Sequence, residues 1–297
     1  MSTVVVFVHT GREDAVDLSR TVARWLAARG HRVVAAPADH AVMTGTGAAA
    51  AQGPAAGPVE GDDGTSPVEL VVSFGGDGTM LRASRRAVEA DAHLVGVNLG
   101  RLGYLAEVEP DGWEDALRRY FAGRYGIDER LLVAAEVRDA GAPPDAARPL
   151  PPALNEVVIE KQANGRTILL SVAIDGAHFT TYVADGVILA TPTGSTAYSL
   201  SARGPIVAPT HRALLLTAVS PHSLFDRSLV LEPSSTVELT LVGDRVAGVA
   251  VDGEQQADLE PGAVVRLTAA DRPARFVTFG DRDFHQILKA KFGLNDR

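Results

Sequence analysis

The chain has 297 residues, of which 46% are hydrophobic and 22% charged, with a formal net charge of −9 and no cysteine. That length suits one large or two medium domains with a substantial apolar core. The acidic balance argues against nucleic acid or an anionic membrane as the main partner, and the lack of cysteine excludes disulfides and thiolate metal sites.

The apolar run at residues 4–8 predicts a buried strand. It is too short for a signal or membrane segment and follows no basic stretch, so the expected address is the cytoplasm. Ala15, Leu18, Val22 and Leu26 recur at helical spacing, Gly30 offers a stop, and residues 31–35 read as a second strand. Strand–helix–strand order points to a parallel α/β sheet. Residues 44–67 are Gly, Ala, Pro, Thr and acidic side chains with almost nothing large and apolar, which predicts a mobile insertion. A strand at 68–74, a helix over about 79–90, a strand at 93–98 and a helix over about 111–122 follow, the last with Trp113, Leu117, Tyr120 and Phe121 on one face.

From 131 to 279 the character changes to short alternating runs separated by Gly, Pro and Asp. These predict an all-β, sandwich-like domain in which the Pro-rich stretch 142–152 is a hairpin loop. The tail 284–292 is helical again and is expected to return to the first domain. The expected division is therefore 1–128 (α/β), 129–280 (β-rich) and 281–297 (C-terminal helix).

Within this frame the run Ser73-Phe74-Gly75-Gly76-Asp77-Gly78-Thr79 carries the most chemistry. A strand feeds glycines that tolerate unusual backbone angles and lack a Cβ, and then a helix start, so backbone amides can face phosphate oxygens. Asp77 among them repels phosphate and needs another task, such as accepting a proton from an attacking hydroxyl. The competing reading is an ordinary surface turn. A second constellation, Thr191-Pro192-Thr193-Gly194-Ser195-Thr196-Ala197-Tyr198-Ser199-Leu200-Ser201, offers hydroxyl and amide donors to a sugar or phosphate and an aromatic ring to a base; it also reads as a capped helix with a core tyrosine. Asn155-Glu156 can read an adenine edge and ribose hydroxyls, or simply form a loop. The eight histidines show no metal-ligand spacing, and His222 after Ser220-Pro221 stands out only by position. No Gly-x-Ser-x-Gly elbow surrounds the serines, which argues against a hydrolase.

Taken together, these segments resemble the NAD kinase family. The resemblance is carried by Gly75-Gly76-Asp77-Gly78-Thr79, the stretch Asn98-Leu99-Gly100-Arg101-Leu102-Gly103-Tyr104-Leu105, Asn155-Glu156, Asp185-Gly186, the Thr191-to-Ser201 run, Ser220-Pro221-His222-Ser223-Leu224 and Val251-Asp252-Gly253-Glu254. It implies an α/β N-terminal domain joined to a β-rich, NAD-binding C-terminal domain. The implied reaction moves a terminal phosphoryl group from ATP or inorganic polyphosphate, carried with Mg²⁺, to the 2′-hydroxyl of the adenosine ribose.

By the same resemblance Asp77 is the proton acceptor, and Gly75, Gly76, Gly78 and Thr79 hold donor phosphates. Asn155 binds adenine, Glu156 helps hold the dinucleotide, and Tyr104 flanks the adenine. Thr196, Ala197, Tyr198 and Ser201 line the adenosine pocket, Asp185 the nicotinamide side, and His222 and Asp252 are further NAD-site residues. No dedicated metal cage is implied, and the protein is expected to be a homodimer or homotetramer.

Two positions depart from the family pattern. Arg203-Gly204 stands where relatives usually have Gly-Gly, and Val183 where many carry a basic residue. The alternatives are a diacylglycerol-type lipid kinase sharing the Gly-Gly-Asp-Gly-Thr turn and a non-catalytic dinucleotide-binding paralogue. A nicotinamide-dependent dehydrogenase fits poorly, because the glycine run is not Gly-x-Gly-x-x-Gly.

Overall fold

A computed structural model describes residues 1–45, 59–100, 102–163, 165–280 and 283–294. The chain forms two compact units, Met1–Glu129 with Ala274–Arg297, and Arg130–Pro273. No helix among the described residues is long and apolar enough to cross a membrane.

The first unit opens with β1 (Thr3–Val8), α1 (Glu13–Ala27), β2 (Arg32–Ala35), α2 (Pro37–Thr44) and β3 (Glu60–Gly61). It continues with β4 (Leu70–Gly75), α3 (Asp77–Glu89), β5 (His93–Asn98), α4 (Trp113–Phe121) and β6 (Gly126–Arg130). The apolar side chains of α1 fall on one face, where Ala15, Val22, Ala23 and Leu26 are buried in a core with Val4, Val6, Phe74, Val95 and Val97. Glu13 and Asp14 sit in its first turn, where they complement the positive end of the helix dipole. β1 and β4 are almost wholly buried, which explains why they read as continuous apolar runs rather than alternating ones.

The second unit contains β7 (Val133–Arg138), β8 (Arg148–Pro149), β9 (Glu156–Lys161), β10 (Ile168–Ile174), β11 (Ala177–Ala184) and β12 (Gly186–Ala190). Then come α5 (Tyr198–Ser201), β13 (Leu214–Val219), β14 (Leu229–Leu231), β15 (Val237–Val242), β16 (Ala247–Val251), β17 (Glu254–Leu259) and β18 (Val264–Ala269). They build two six-stranded sheets, ordered β11-β10-β15-β18-β7-β8 and β14-β13-β12-β9-β16-β17, paired antiparallel. One core joins Leu170, Val172, Leu239 and Val265 of the first sheet to Ile159, Leu189, Leu214 and Val249 of the second, so the unit is a β-sandwich. The second sheet is also covered on its outer face. There Val158, Ile188, Ala190 and Leu215 pack with Ala202 and Val207, which places the segment around α5 over that face.

The chain then returns to the first unit as β19 (Ala274–Thr278) and α6 (Phe284–Phe292). This corrects the sequence reading, which placed the last strand in the β-rich domain. β19 pairs parallel with β5, completing a seven-stranded sheet of order β3-β2-β1-β4-β5-β19-β6. The C-terminal helix belongs to the first unit, as expected.

Of the insertion expected over 44–67, residues 46–58 lie outside the described residues. Beyond them, β3 pairs parallel with β2, and Asp62 meets Arg86 of α3 at 2.7 Å with both side chains nearly buried. A paired charge therefore helps anchor a segment poor in apolar side chains, of which Val59 packs against the core, and composition alone gives no sign of the pair. Sequence periodicity also did not indicate α2. Pro37 begins that helix, Gly45 ends it in a left-handed conformation, and its buried residues are Asp39 and Met43, so the apolar stripe is interrupted by a carboxylate.

Candidate active site

In the first unit the strand order places β1 and β4 side by side, although β2 and β3 lie on the far side of β1. The chain runs outward from β1 and then restarts on its other flank. This reversal opens a crevice at the carboxyl ends of β1 and β4, the usual ligand position in an open parallel sheet. The Gly75–Thr79 run occupies that crevice. Gly75 closes β4, Gly76 caps α3 with extended backbone (φ −103°, ψ −166°), and Asp77 is the first residue of the helix.

None of these glycines is left-handed, so the expected need for unusual backbone angles is replaced by a need for space. A Cβ on Gly75 would stand 2.4 Å from Thr79 Oγ1 and 3.2 Å from His9 Cβ. At Gly76 and Gly78 a Cβ would meet nothing within 4 Å, leaving both backbones approachable.

Asp77 is held by the loop after β5. Its Oδ2 accepts the Tyr104 N–H at 3.1 Å and its Oδ1 the Leu105 N–H at 3.2 Å. Gly103 makes this approach possible, since a Cβ there would lie 2.4 Å from Asp77 Oδ1. The Tyr104 ring packs 6.2 Å from Phe284 with Lys291 Nζ 4.4 Å above it, so α6 engages the side chain expected to flank adenine. Burial, and then the nearby Asp77 charge, raise the Tyr104 hydroxyl above its ordinary pKa.

Beside the glycines lies a cavity of about 430 Å³ lined by His9, Thr10, Gly76, Gly78, Thr79 and Arg82. Sequence reading passed over His9, Thr10 and Arg82. Their only signals were a polar pair directly after β1 and a cation one turn into α3.

In the second unit, Asn155 and Glu156 are fixed mainly through their backbones. Asp252 follows β16 with a left-handed φ of 50°, and its carboxylate accepts the N–H groups of Leu154 (2.9 Å), Asn155 (2.8 Å) and Glu156 (3.2 Å). On the other side Thr191 donates its N–H to the Asn155 carbonyl and its hydroxyl to that of Leu154. A Cβ on Gly194 would stand 2.0 Å from the Asn155 carbonyl oxygen, so this position is closed to any larger residue without rearrangement. The backbone is thus clamped, and the half-buried Asn155 amide has no protein partner among the described residues.

Glu156 is 5% exposed, and its Oε2 has no hydrogen-bond partner among the described residues. Desolvation, reinforced by the Asp252 charge and partly offset by the Tyr198 N–H, pushes its carboxyl up to about 7.

The remaining candidates lie around this clamp. Tyr198 starts α5 with an exposed ring, and its hydroxyl reaches Glu160 at 3.5 Å. Thr196 and Ala197 are half-buried and Ser201 is exposed. Asp185, between β11 and β12, is paired with Lys161 of β9 at 2.5 Å. A cation therefore stands beside Asp185 although position 183 is Val, a relation across strands that the local sequence does not announce. His222 is exposed, and its backbone N–H donates to the Val183 carbonyl at 2.7 Å. Arg203 is exposed and left-handed (φ 67°) at the end of α5, the conformation in which glycine is least strained. Among the described residues no cluster of three or more His, Asp or Glu side chains is arranged to hold a metal ion.

Known proteins are similar to this chain in both sequence and fold. Residues 59–125 match the family model for the ATP-NAD kinase N-terminal domain, and residues 154–279 that for the ATP-NAD kinase C-terminal domain. The NAD kinase of Thermobifida fusca is 37% identical over 98% of this chain and 89% of its own length, and that of Heliobacterium modesticaldum 38% identical over 98% of both. The fold is similar to that of yeast NADH kinase, solved with NADH, with a TM-score of 0.88 at 23% identity over 100% of this chain and 89% of the yeast chain. With identity of this level over nearly its whole length, the chain belongs to the NAD kinase family.

Proposed function

We propose that the chain phosphorylates the 2′-hydroxyl of the adenosine ribose of NAD to give NADP, drawing the phosphoryl group from ATP or inorganic polyphosphate that enters as its Mg²⁺ complex. One observation carries the reading beyond family membership: a carboxylate, Asp77, is pinned by two backbone amides at the start of a helix whose neighbouring glycines are open to a ligand. Such a group can take the ribose proton as the O2′–P bond forms and the bond from phosphorus to the bridging oxygen breaks, the leaving group departing as ADP or a shortened polyphosphate. Gly76, Gly78 and the first amides of α3 would face the donor phosphates. Asn155, with its amide unclaimed, would read adenine; Glu156, Thr196, Ala197, Tyr198 and Ser201 would hold the rest of the dinucleotide, with Asp185 on the nicotinamide side.

The geometry supports a different task for Asp252, whose carboxylate is spent on backbone amides: it positions Asn155 and Glu156. A homodimer or homotetramer is supported by the exposed Phe179, Leu224, Phe225 and Val230, which lie on or near the end strands β11 and β14 of the two sheets.

The deciding experiment is NADP production from NAD with ATP and then polyphosphate, each with and without Mg²⁺, beside a diacylglycerol phosphorylation assay. NADP formation with no lipid product is expected. Lipid phosphorylation, or dinucleotide binding without NADP from any donor, would overturn the reading. Initial rates with NADH address the Val183 departure, where use of the reduced dinucleotide is expected and its strict rejection counts against a role for the lack of a basic residue at position 183.

A further inference from the structure

The cavity at the β1/β4 reversal contains more than open glycine backbone. Arg82 lies one turn into α3, and its guanidinium is fixed from behind. Nη2 donates to the Val8 carbonyl at 2.8 Å and to Asp39 Oδ1 at 3.2 Å, and Nη1 reaches Asp39 Oδ2 at 3.4 Å. Asp39 is itself fully buried and accepts the Val8 N–H at 3.0 Å, so the carboxylate cannot swing away. The arginine side chain nevertheless remains about two-fifths exposed and lines the cavity. His9 also lines the cavity, exposed and with no side-chain partner among the described residues. The missing Cβ of Gly75 lets the backbone of β4 pass between His9 and Thr79. A guanidinium whose orientation is set before any ligand arrives loses little freedom on binding, and with three of its five N–H donors taken by Val8 and Asp39 it keeps two for phosphate oxygens. The described residues lining this cavity include no Phe, Tyr or Trp to stack on a nucleoside base.

We infer that Arg82, oriented by Asp39, and His9 form a clamp for the phosphate chain of the phosphoryl donor, recognising the chain itself rather than the nucleoside attached to it. This rests on the phosphoryl-transfer reading above and extends it to residues outside the glycine run. In this arrangement α2 has a function: it delivers the buried carboxylate that aims the arginine. Asp39 is a positioning residue, whereas Arg82 and His9 would touch the donor.

The test uses the full-length protein, with inorganic tripolyphosphate and ATP as separate probes. Calorimetric titration of tripolyphosphate in the absence of NAD gives a readout independent of turnover. Arg82→Lys keeps the charge but not the planar guanidinium that Asp39 orients, and His9→Asn lies outside the Asp39 ion pair, so it keeps the test informative if the arginine variant folds poorly. Each is expected to weaken tripolyphosphate binding and raise the KM for ATP at least tenfold, while the KM for NAD moves less than threefold. Equal losses with the two probes are expected, because only the phosphate chain is common to them. A loss with ATP alone, an equal rise in the KM for NAD, or unchanged tripolyphosphate affinity in both variants would overturn the clamp. If the wild-type protein bound tripolyphosphate through these residues yet made no NADP from any donor, the clamp would stand and the proposed reaction would fall.

Discussion

Replacing Asp77 by Asn tests the assignment at its centre, because the two side chains have nearly the same shape. The carboxylate accepts one N–H on each oxygen, from Tyr104 and Leu105. An amide can keep one of these bonds but must turn its own NH₂ toward the other donor. One bond to a charged group is therefore lost, about 1.5–3 kcal/mol in a buried setting, and nearer 1 kcal/mol here because Asp77 is half-exposed. Unfolding should consequently shift downward by only a few degrees, since about 1 kcal/mol moves the midpoint of a domain of this size by roughly 2–4 °C. The chemical effect should be far larger. Loss of a general base removes a factor of about 10²–10⁴, which is roughly 3–5 kcal/mol of barrier at about 1.4 kcal/mol per decade. The assay pairs single-turnover NADP formation with equilibrium binding of NAD and a thermal melt. The expected result is turnover down at least a hundredfold, NAD affinity within a few-fold of wild type and a small melting shift. A folded variant turning over within tenfold of wild type would refute the base assignment.

Three further outcomes follow from the same geometry. Gly103→Ala places a methyl group 2.4 Å from Asp77 Oδ1, and the enforced displacement of about an ångström should lower turnover roughly a hundredfold with NAD binding retained; unchanged rates would mean that the carboxylate position is not critical. Glu156 titrates near 7 in the folded protein against an ordinary 4.5, so the native state holds its proton more tightly than the unfolded chain does. Its contribution to stability is complete below the ordinary value and is lost as pH rises through about 7, up to about 3 kcal/mol by linkage. Glu156→Gln should remove that decline, and denaturant titrations at pH 5 and 8 that show the same decline in both proteins would contradict it. Arg203→Gly relieves a left-handed conformation worth about 1–2 kcal/mol but adds about 0.5–1 kcal/mol of unfolded-state entropy, so a net gain of roughly 0.5–1 kcal/mol is expected in chemical denaturation.

Elements whose burial is periodic were legible. Ala15, Val22 and Leu26 announced α1 because one helix face is buried, and Ile168–Ile174 announced β10 because alternate residues face the sandwich core. What local pattern could not express is where a strand goes. β19 is a short, mixed apolar and polar run directly after the sandwich strands, yet it joins β5, about 180 residues earlier in the chain, in a parallel pair. The site divides along the same line. Glycines and a carboxylate in one short run reveal a ligand loop, because their chemistry is local. The clamp of Asp252 on Asn155 spans 97 residues, that of Asp39 on Arg82 spans 43, and the Lys161–Asp185 pair crosses from one strand to the next. Nothing at either end of these pairs marks its partner.

The two anchored carboxylates also show how equal chemistry diverges with saturation. An ionised carboxyl has about four acceptor sites. Asp252 gives Oδ1 to two N–H groups and Oδ2 to a third, so it is occupied with holding backbone. Asp77 gives each oxygen to one N–H only, leaving a lone pair on both oxygens at the mouth of a crevice. The same donors that fix its position therefore stop short of consuming its capacity to accept a proton. On that count Asp77 keeps two acceptor sites against at most one on Asp252, and the choice between the two acids as the reacting group falls on Asp77.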